Sequence, residues 1–589
     1  MSRSRGGGRA LLLELVRAQW RGIALGVVLG GLWTLGKVTV PRLVSGGIDA
    51  AVARESVWSW TVAILVVGLA SSLVSGGRKW FALGVARRVE AELRERVFAK
   101  IQRLPFAYHD RMPTGELMSR ANTDAQQVQL LFAFVPMTLS NFLTVLSSAV
   151  VLVVIDPFLT LVSVVGLPLV NVMGKRFAER LHPAVTAIQE ESAQVAAVVE
   201  ESVAGVRVVK GLGAERVQEA RLRVEADDVF DASMEAAMVR ARFMPAMELL
   251  PNLGLVAVLG VGGHRVIGGQ LSVGDLVAFN VYLQLMLWPL RSLGSIVAQF
   301  QRSVTSADRI RDVLDAPEDV ADPDRPVPLP ATGGAVRFEG VTFAYAGGGP
   351  VLDGLDLTIE AGTSVAIVGS TGSGKTTMAA LLCRFYDVTG GRVLLDGVDV
   401  RDLALADLRR AVATVFQETF LFSDTVAANM AFADAGAPHD VVARAARLAG
   451  ADEFVAGLPE GYGTELGERG FSLSGGQRQR VAIARAVVAD PRVLVLDDAT
   501  SAVDPTKEHE IRDALVGVMQ GRTTLVIAHR PATIALADRV VLLDGGRIAA
   551  DGDHRSLLRS SARYRQVLAA AAVAEARAGE PEPEPEVVG

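Results

Sequence analysis

The stretch Gly369-Ser370-Thr371-Gly372-Ser373-Gly374-Lys375-Thr376-Thr377 is the part of this 589-residue chain most committed to one kind of chemistry. Its glycines let the backbone curl until successive N–H groups converge on an anion, and a helix expected to open at the lysine adds the positive end of its dipole. In that setting Lys375 would meet the β- and γ-phosphates of a nucleoside triphosphate, and the Thr376 hydroxyl would bind Mg²⁺. Two acids, Asp497 and Asp498, close the apolar run Val493-Leu494-Val495-Leu496. An acid at the C-terminal end of a buried strand faces the crevice where open α/β sheets hold their ligands, so Asp497 is expected on the metal side of the same site. A second nest of N–H groups, Ser474-Gly475-Gly476-Gln477, precedes another helix. One nucleotide hardly needs two phosphate nests, and the second is expected to serve a nucleotide bound by another chain.

The elements that must position these residues read as α/β. Short β-branched runs at Val336–Val341, Ser364–Val368, Val493–Leu496, Thr524–Ala528 and Arg539–Leu543 alternate with helical segments. This domain is expected over 335–575. An acidic, proline-rich stretch at 315–334 reads as a linker before it, and the Pro/Glu run at 576–589 reads as a disordered tail. The one cysteine, Cys383, excludes an internal disulfide and a cysteine-based zinc site, and fits a reducing compartment.

Residues 1–314 are different. Half the chain is hydrophobic and mean hydropathy is +0.33, yet 21% is charged, which divides it into a membrane part and a soluble part. Six apolar stretches, near 22–46, 59–84, 132–155, 157–175, 243–263 and 274–298, are long enough to cross ~30 Å of hydrocarbon as helix. The polar intervals 85–131 and 176–242 keep helical periodicity, and read as membrane helices continuing out of the bilayer on one side. Arg87, Arg88, Arg94, Arg96, Lys100 and Arg103 put the first interval in the cytoplasm, together with the arginine-rich N-terminus. An even number of spans returns the C-terminal domain there, with the cell membrane as location. Ala51-Val52-Ala53 mimics a leader cleavage site, but the apolar segment before it is too long and carries Lys37 and Arg42. The net charge of −6 gives no argument for nucleic acid.

With phosphate loop, LSGGQ and strand-borne acids in this order after six spans, the chain resembles a half-transporter of the ATP-binding cassette (ABC) exporter family. The resemblance covers nearly the whole chain and implies a helical polytopic membrane domain followed by an α/β nucleotide-binding domain. It implies ATP and Mg²⁺ as cofactors, and ATP hydrolysis coupled to transport by alternating access. Tyr345 is placed like the aromatic residue that stacks on adenine, and Gln417 like the glutamine that contacts Mg²⁺ and senses the membrane domain. Asp504 matches the aspartate between the paired cassettes, and His529 the switch histidine. Thr464–Gly470 is similar to the exporter-type loop before the signature. Thr114–Arg120 with Asp124, and Gly205–Lys210 with Glu215, resemble the two coupling regions.

The family has glutamate after the strand-borne aspartate, as the base that activates water; here the residue is Asp498. Its shorter side chain sets the carboxylate back by ~1.5 Å, and a 1 Å misplacement can cost ~10²-fold. The site is therefore expected to be slow or non-hydrolytic, as in one half of an asymmetric heterodimer whose partner does most of the hydrolysis. A homodimer with two slow sites, or an importer built on the exporter fold, is the alternative. A lipophilic or amphipathic substrate (drug, lipid or peptide) is expected from the soft set Phe243, Met244, Met247, Met286 and Trp288. Of the charges in or near the spans, Arg42, Arg78 and Lys79 are expected to snorkel, whereas Lys37 and Glu248 lie deeper and could pair or line a cavity.

Overall fold

A computed structural model describes residues 7–164, 167–331, 333–467, 470, 472–499 and 508–579. The chain divides into two units, residues 1–102 with 115–316, and residues 103–114 with 317–589.

The first unit is helical: α1 Gly7–Ala18, α2 Trp20–Val52, α3 Trp58–Arg103, then, beyond α4 Phe106–His109, α5 Thr114–Ser119, α6 Ala125–Ile155, α7 Pro157–Val164, α8 Leu167–Ala204, α9 Val206–Gly211, α10 Glu215–Ile267 and α11 Val273–Leu314. Among the described residues, five helical stretches are long and apolar enough to cross a bilayer: α2, α3, Thr114–Ile155, α10 and α11. The sixth expected span, 157–175, is shared between α7 and α8, with residues 165 and 166 outside the described set. Burial in this unit is inverted relative to a soluble protein. Large side chains such as Leu35, Leu65, Leu69 and Leu73 are exposed, while Thr34, Ser140, Asn141, Thr144 and Ser148 are buried. Small and hydroxylated residues let helices approach closely where lipid removes the usual hydrophobic drive. At Gly36 an added Cβ would lie 1.9 Å from Ser71 Oγ and 3.1 Å from Ser71 Cβ, so α2 and α3 approach closely there. Thr34 Oγ1 donates to the carbonyls of Gly30 at 2.9 Å and Ser140 at 3.2 Å, tying α2 to α6.

Charges staple the helix ends. Arg42 pairs with Asp275 at the start of α11, and Asp49 accepts from the Gly274 amide at 2.8 Å. Asp124, 1% exposed, is held by Arg120 at 3.1 Å and by Arg309 of α11. With two arginines on one buried carboxylate, losing either still leaves Asp124 a counter-charge, whereas losing both would strand a buried charge. Arg42, expected to snorkel, has an ion-pair partner in Asp275, whereas Arg78 is 6% exposed and packed inside rather than reaching outward. Lys37 lies over the Trp33 ring, and Glu248 is exposed on α10.

The second unit is built round two sheets. A four-stranded antiparallel sheet has the order β2-β1-β4-β5, from β1 Val336–Ala344, β2 Pro350–Ile359, β4 Gly390–Leu395 and β5 Val398–Asp399. A six-stranded sheet has the order β10-β9-β3-β8-β7-β6, from β3 Ser364–Val368, β6 Val412–Val415, β7 Val493–Asp497, β8 Thr523–Ile527, β9 Arg539–Asp544 and β10 Arg547–Gly552. All its pairings are parallel except that of β10 with β9. Parallel strands are covered on both faces, which is why β3, β7 and β8 are apolar at nearly every position. Ala366, Val368, Leu494, Leu496 and Val526 enter one core, and Val365, Ile367, Val493, Val495 and Leu525 enter the other.

The helices of this unit are α12 Lys375–Leu382, α13 Leu405–Ala411, α14 Val426–Met430, α15 His439–Leu448, α16 Asp452–Ala456, α17 Gly475–Val488, α18 Glu508–Met519, α19 Pro531–Ile534, α20 His554–Ser560 and α21 Ala562–Gly579. Residues 103–114, with α4, belong here: Phe106 stacks on Phe385 with centroids 4.4 Å apart, and the Tyr386 hydroxyl donates to Asp110. The expected linker is fastened to the second unit along part of its length. Val327 N donates to Asp402 O at 2.8 Å, and Asp322 accepts from Leu405 N at 2.6 Å. Helix α21 runs to Gly579, so residues 576–579 of the expected disordered tail are helical, and 580–589 lie outside the described set. Cys383 is buried against Thr414 Oγ1 at 3.1 Å, and burial pushes its thiol up to about 11, which leaves it unreactive.

Candidate functional site

Four segments leave the C-terminal ends of neighbouring parallel strands and meet at one cavity. Gly369–Thr377 follows β3, Gln417 follows β6, Asp497 and Asp498 end β7, and His529 follows β8. That edge is where an open parallel sheet offers a crevice to a ligand. The cavity is about 880 Å³. Its wall takes in Tyr345 beyond β1, the loop from Gly369 to Thr377 apart from Ser373, Gln417, Asp497, Asp498 and His529.

The loop wraps because two glycines do what other residues cannot. Gly374 caps α12 at φ +102°, where a Cβ would lie 2.7 Å from a Leu352 methyl. At Gly369 a Cβ would meet Leu543 O at 2.3 Å. Lys375 is 6% exposed, and its Nζ donates to the Gly369 and Ser370 carbonyls, both at 2.8 Å. Burial lowers its pKa, while Asp497 and Asp498 pull the other way. Ser373 is buried behind the loop, and its Oγ has no hydrogen-bond partner in the structure. A concave loop of backbone donors, a buried ammonium and an orphaned hydroxyl fit a triphosphate.

Thr376 Oγ1 lies 3.4 Å from Asp497 Oδ1, the hydroxyl-carboxylate combination that suits Mg²⁺. Asp497 is 6% exposed, and burial raises its pKa, with Asp498 adding to the rise and Thr376 and Lys375 opposing it. A divalent cation would oppose that rise. Asp498 is half-buried, with its backbone at φ +48° and its N–H donating to Ile527 O at 2.9 Å. Aspartate tolerates this left-handed conformation better than most residues. His529 is half-buried, and its pKa is lowered by burial first and Lys375 second, against the pull of Asp498.

Tyr345 is 38% exposed and fixed from behind. Phe343 and Tyr386 meet it edge-on, with centroids at 4.9 and 5.3 Å, and its hydroxyl is 3.1 Å from Thr377 Oγ1. An aromatic held this way offers a face to a base. Sequence reasoning missed part of the wall: Val351, Arg530, and Arg563, Gln566, Val567 and Ala570 of α21. Arg563 is itself placed by Asp544 at 2.9 Å. No local motif marks these helix residues, which lie 186 or more positions after Thr377.

Ser474–Gln477 are not in this wall. Ser474 caps α17: its Oγ accepts from Gln477 N at 3.3 Å, and Gln477 Oε1 accepts from Ser474 N at 2.8 Å. This capping box leaves Ser474 exposed, with Gly475 and Gly476 behind it in the first turn. Asp504 lies outside the described residues. In the first unit, a cavity of about 770 Å³ runs between α6 and α11, with Phe134, Met137, Phe142, Trp288 and Phe300 in its wall. Of the soft residues singled out in the sequence, Trp288 lines it, whereas Met286 is packed in the core with Leu152 and Leu159.

A phosphate-binding cassette joined to helices long enough to cross a bilayer defines an ATP-driven membrane transporter. Residues 22–290 match the family described as ABC transporter transmembrane region, and residues 352–501 match the family described as ABC transporter. The chain is 35% identical over 497 residues to an ATP-dependent lipid A-core flippase of Syntrophus aciditrophicus, covering 84% of this chain and 82% of that one. It is 36% identical over 551 residues to a multidrug efflux ATP-binding/permease protein of Mycobacterium bovis, covering 93% of this chain but only 46% of that one. Among solved structures it is similar to a bacterial Atm1-family ABC exporter with ATP bound, at TM-score 0.74 and 30% identity, covering 97% and 99% of the two chains. This chain belongs to the ABC exporter family, and its cassette binds ATP and couples hydrolysis to transport.

Proposed function

We propose that the chain is one half of a two-cassette exporter that moves a lipophilic or amphipathic molecule out of the cell, with its own ATP site slow and the partner's site fast. The observation that carries this reading is Asp498, a short acid at the position where a water-activating glutamate is expected, in the wall of an otherwise complete site.

In this reading Tyr345 stacks on the base, and the Gly369–Thr377 loop with Lys375 holds the phosphates. Thr376, Asp497 and Gln417 would hold Mg²⁺, which supplies charge neutralisation at the phosphates when bound. His529 and Asp498 face the terminal phosphate from β8 and β7. The exposed Ser474, with Gly475 and Gly476 behind it and away from its own cavity, is suited to close over a nucleotide held by a second cassette, together with Gln477 of the same turn and, by the family resemblance, Asp504. Closure then joins two sites and drives the helices between inward- and outward-facing states, which needs several kcal/mol of differential binding. The flippase and efflux names of the relatives, and the apolar α6–α11 cavity, support a lipid- or drug-like substrate. Six spans with both termini and the cassette in the cytoplasm of a plasma-membrane protein agree with the arginine-rich interval 85–131.

The test is reconstitution. The chain, alone and with any co-purifying half-transporter, is placed in proteoliposomes, and ATP-dependent movement of a fluorescent lipid and of a lipophilic dye is followed. Movement only with the second half-transporter supports the heterodimer. Equal movement by the chain alone would make it a homodimer, and uptake in the opposite sense would make it an importer.

A further inference from the structure

Within the membrane-spanning part, two cations share one indole. Lys37 Nζ lies 4.8 Å from the centroid of the Trp33 ring, and the Arg78 guanidinium lies 4.7 Å from the same centroid. Trp33 and Lys37 are one helical turn apart on α2, and Arg78 comes from α3. Arg78 is 6% exposed, and its Nε has no hydrogen-bond partner. No carboxylate among the described residues forms an ion pair with either cation, although Arg42 on the same helix has one in Asp275. An indole face eases a cation's desolvation but brings no opposite charge. Two like charges in a low-dielectric setting, with no counter-charge from the protein, call for an anion from elsewhere.

The surroundings say what that anion is attached to. Trp33 and Lys37 are half-buried and so reachable, and the neighbouring faces of α2 and α3 expose Leu32, Leu35, Leu69 and Leu73. One buried and one half-buried cation, rimmed by exposed alkyl side chains, match an amphiphile with an acidic head and a hydrocarbon tail. Behind the cations the packing is close: the Arg78 stem passes Gly30 of α2, where a Cβ would stand in van der Waals contact with Arg78 Cδ at 3.5 Å.

We infer that Lys37, Arg78 and Trp33 form a binding site for the anionic head group, carboxylate or phosphate, of a single amphipathic lipid. The inference rests on the reading of an amphipathic substrate given above when the lipid is cargo, and stands without it when the lipid is a resident of the bilayer.

The probe is a brominated fatty acid, compared with the brominated fatty alcohol of the same length, added to the full chain in nanodiscs of zwitterionic lipid at a pH where the acid is ionised. Bromine quenches nearby tryptophan, and the part of the quenching lost in Trp33→Phe reports this site. The acid is expected to quench at about tenfold lower mole fraction than the alcohol, and Lys37→Gln with Arg78→Gln to abolish that preference while alcohol binding shows the site still formed. Arg78→Lys keeps the charge and is expected to keep the preference, which guards against a misfolded double variant. Equal quenching by acid and alcohol in the unaltered protein, or a preference that survives the double variant, would overturn the inference. Displacement of the acid by added phosphatidylglycerol identifies a resident lipid. ATP-driven movement of the acid identifies cargo. A clear acid preference with no movement of any amphiphile leaves this site standing and removes amphiphile export.

Discussion

The rings of Tyr345 and Tyr386 meet edge to face with their centroids 5.3 Å apart, which joins the wall of the nucleotide cavity to the segment 103–114. Beyond that contact, Tyr386 donates to Asp110, and Tyr345 reaches Thr377 of α12 at 3.1 Å. Burial and the bond to Asp110 raise the Tyr386 pKa, so the hydroxyl stays a donor at any working pH. An edge-to-face pair contributes ~0.5–1.5 kcal/mol, so Tyr386→Ala is expected to weaken ATP binding by about two- to tenfold. Tyr386→Phe keeps the ring and loses the bond, and is expected to leave nucleotide affinity nearly unchanged. Titration with a fluorescent ATP analogue separates the two.

Lys375 is the one buried ammonium in the loop's concavity, and Lys375→Ala is expected to remove ATP binding at this chain's own site. Tyr345→Ala is expected to weaken binding without abolishing it, through loss of the stacking face. Photo-crosslinking with labelled ATP analogue reads both. Normal labelling of the Lys375→Ala chain would contradict the assignment.

The Ser474 nest should act on another chain's nucleotide. Gly475→Asp puts a carboxylate in the first turn of α17, and is expected to repel the phosphates the nest would meet. ATPase activity of the complex should collapse while labelling at this chain's Lys375 survives. Loss of both together, or of neither, would speak against completion in trans.

His529 gives a pH dependence with a definite sign. Its pKa is lowered by burial, so the folded state holds the ring neutral more firmly than the unfolded chain does. Above the unfolded value of about 6.5 both states are neutral and nothing is lost. As pH falls below that value the unfolded state takes up the proton first, and stability and activity decline until the folded pKa is passed. The ATPase profile is expected to show an acid limb lying below about 6.5, and His529→Gln, which cannot take up a proton, should lack that limb at a lower rate. An acid limb unchanged by the substitution would assign it elsewhere.

Legibility followed the range of the interactions. The Gly369–Thr377 loop, the β7 acids and His529 were readable because each is a local pattern tied to the end of a buried apolar strand, and β3 lies at Ser364–Val368 as its residues require. Arg563 and Gln566 were not, since only the packing of α21 carries them to the cavity. The 315–334 segment reads as a linker by composition, yet the Val327 amide bonded to Asp402 and the Asp322 carboxylate bonded to Leu405 N fasten it, and such partners leave no local trace. In the membrane unit, hydropathy located the long helices, but the ion-pair partner of Arg42 is Asp275, 233 positions away. The burial of Arg78 depends likewise on another helix, α2, where Gly30 lies beside its Cδ.

Asp498 decides the account as a whole. The steady-state ATPase rate of the purified complex, with Asp498→Asn made singly, is the direct measurement. The slow-site reading predicts a change of less than about twofold, against ~10²-fold for glutamine at the partner's corresponding glutamate, the scale of losing a positioned base. Asp498→Glu restores the missing methylene and is expected to raise turnover, less the strain of placing glutamate at φ +48°. A loss of ~10²-fold from Asp498→Asn would make Asp498 a working base, and two active sites in a homodimer would then be the better description.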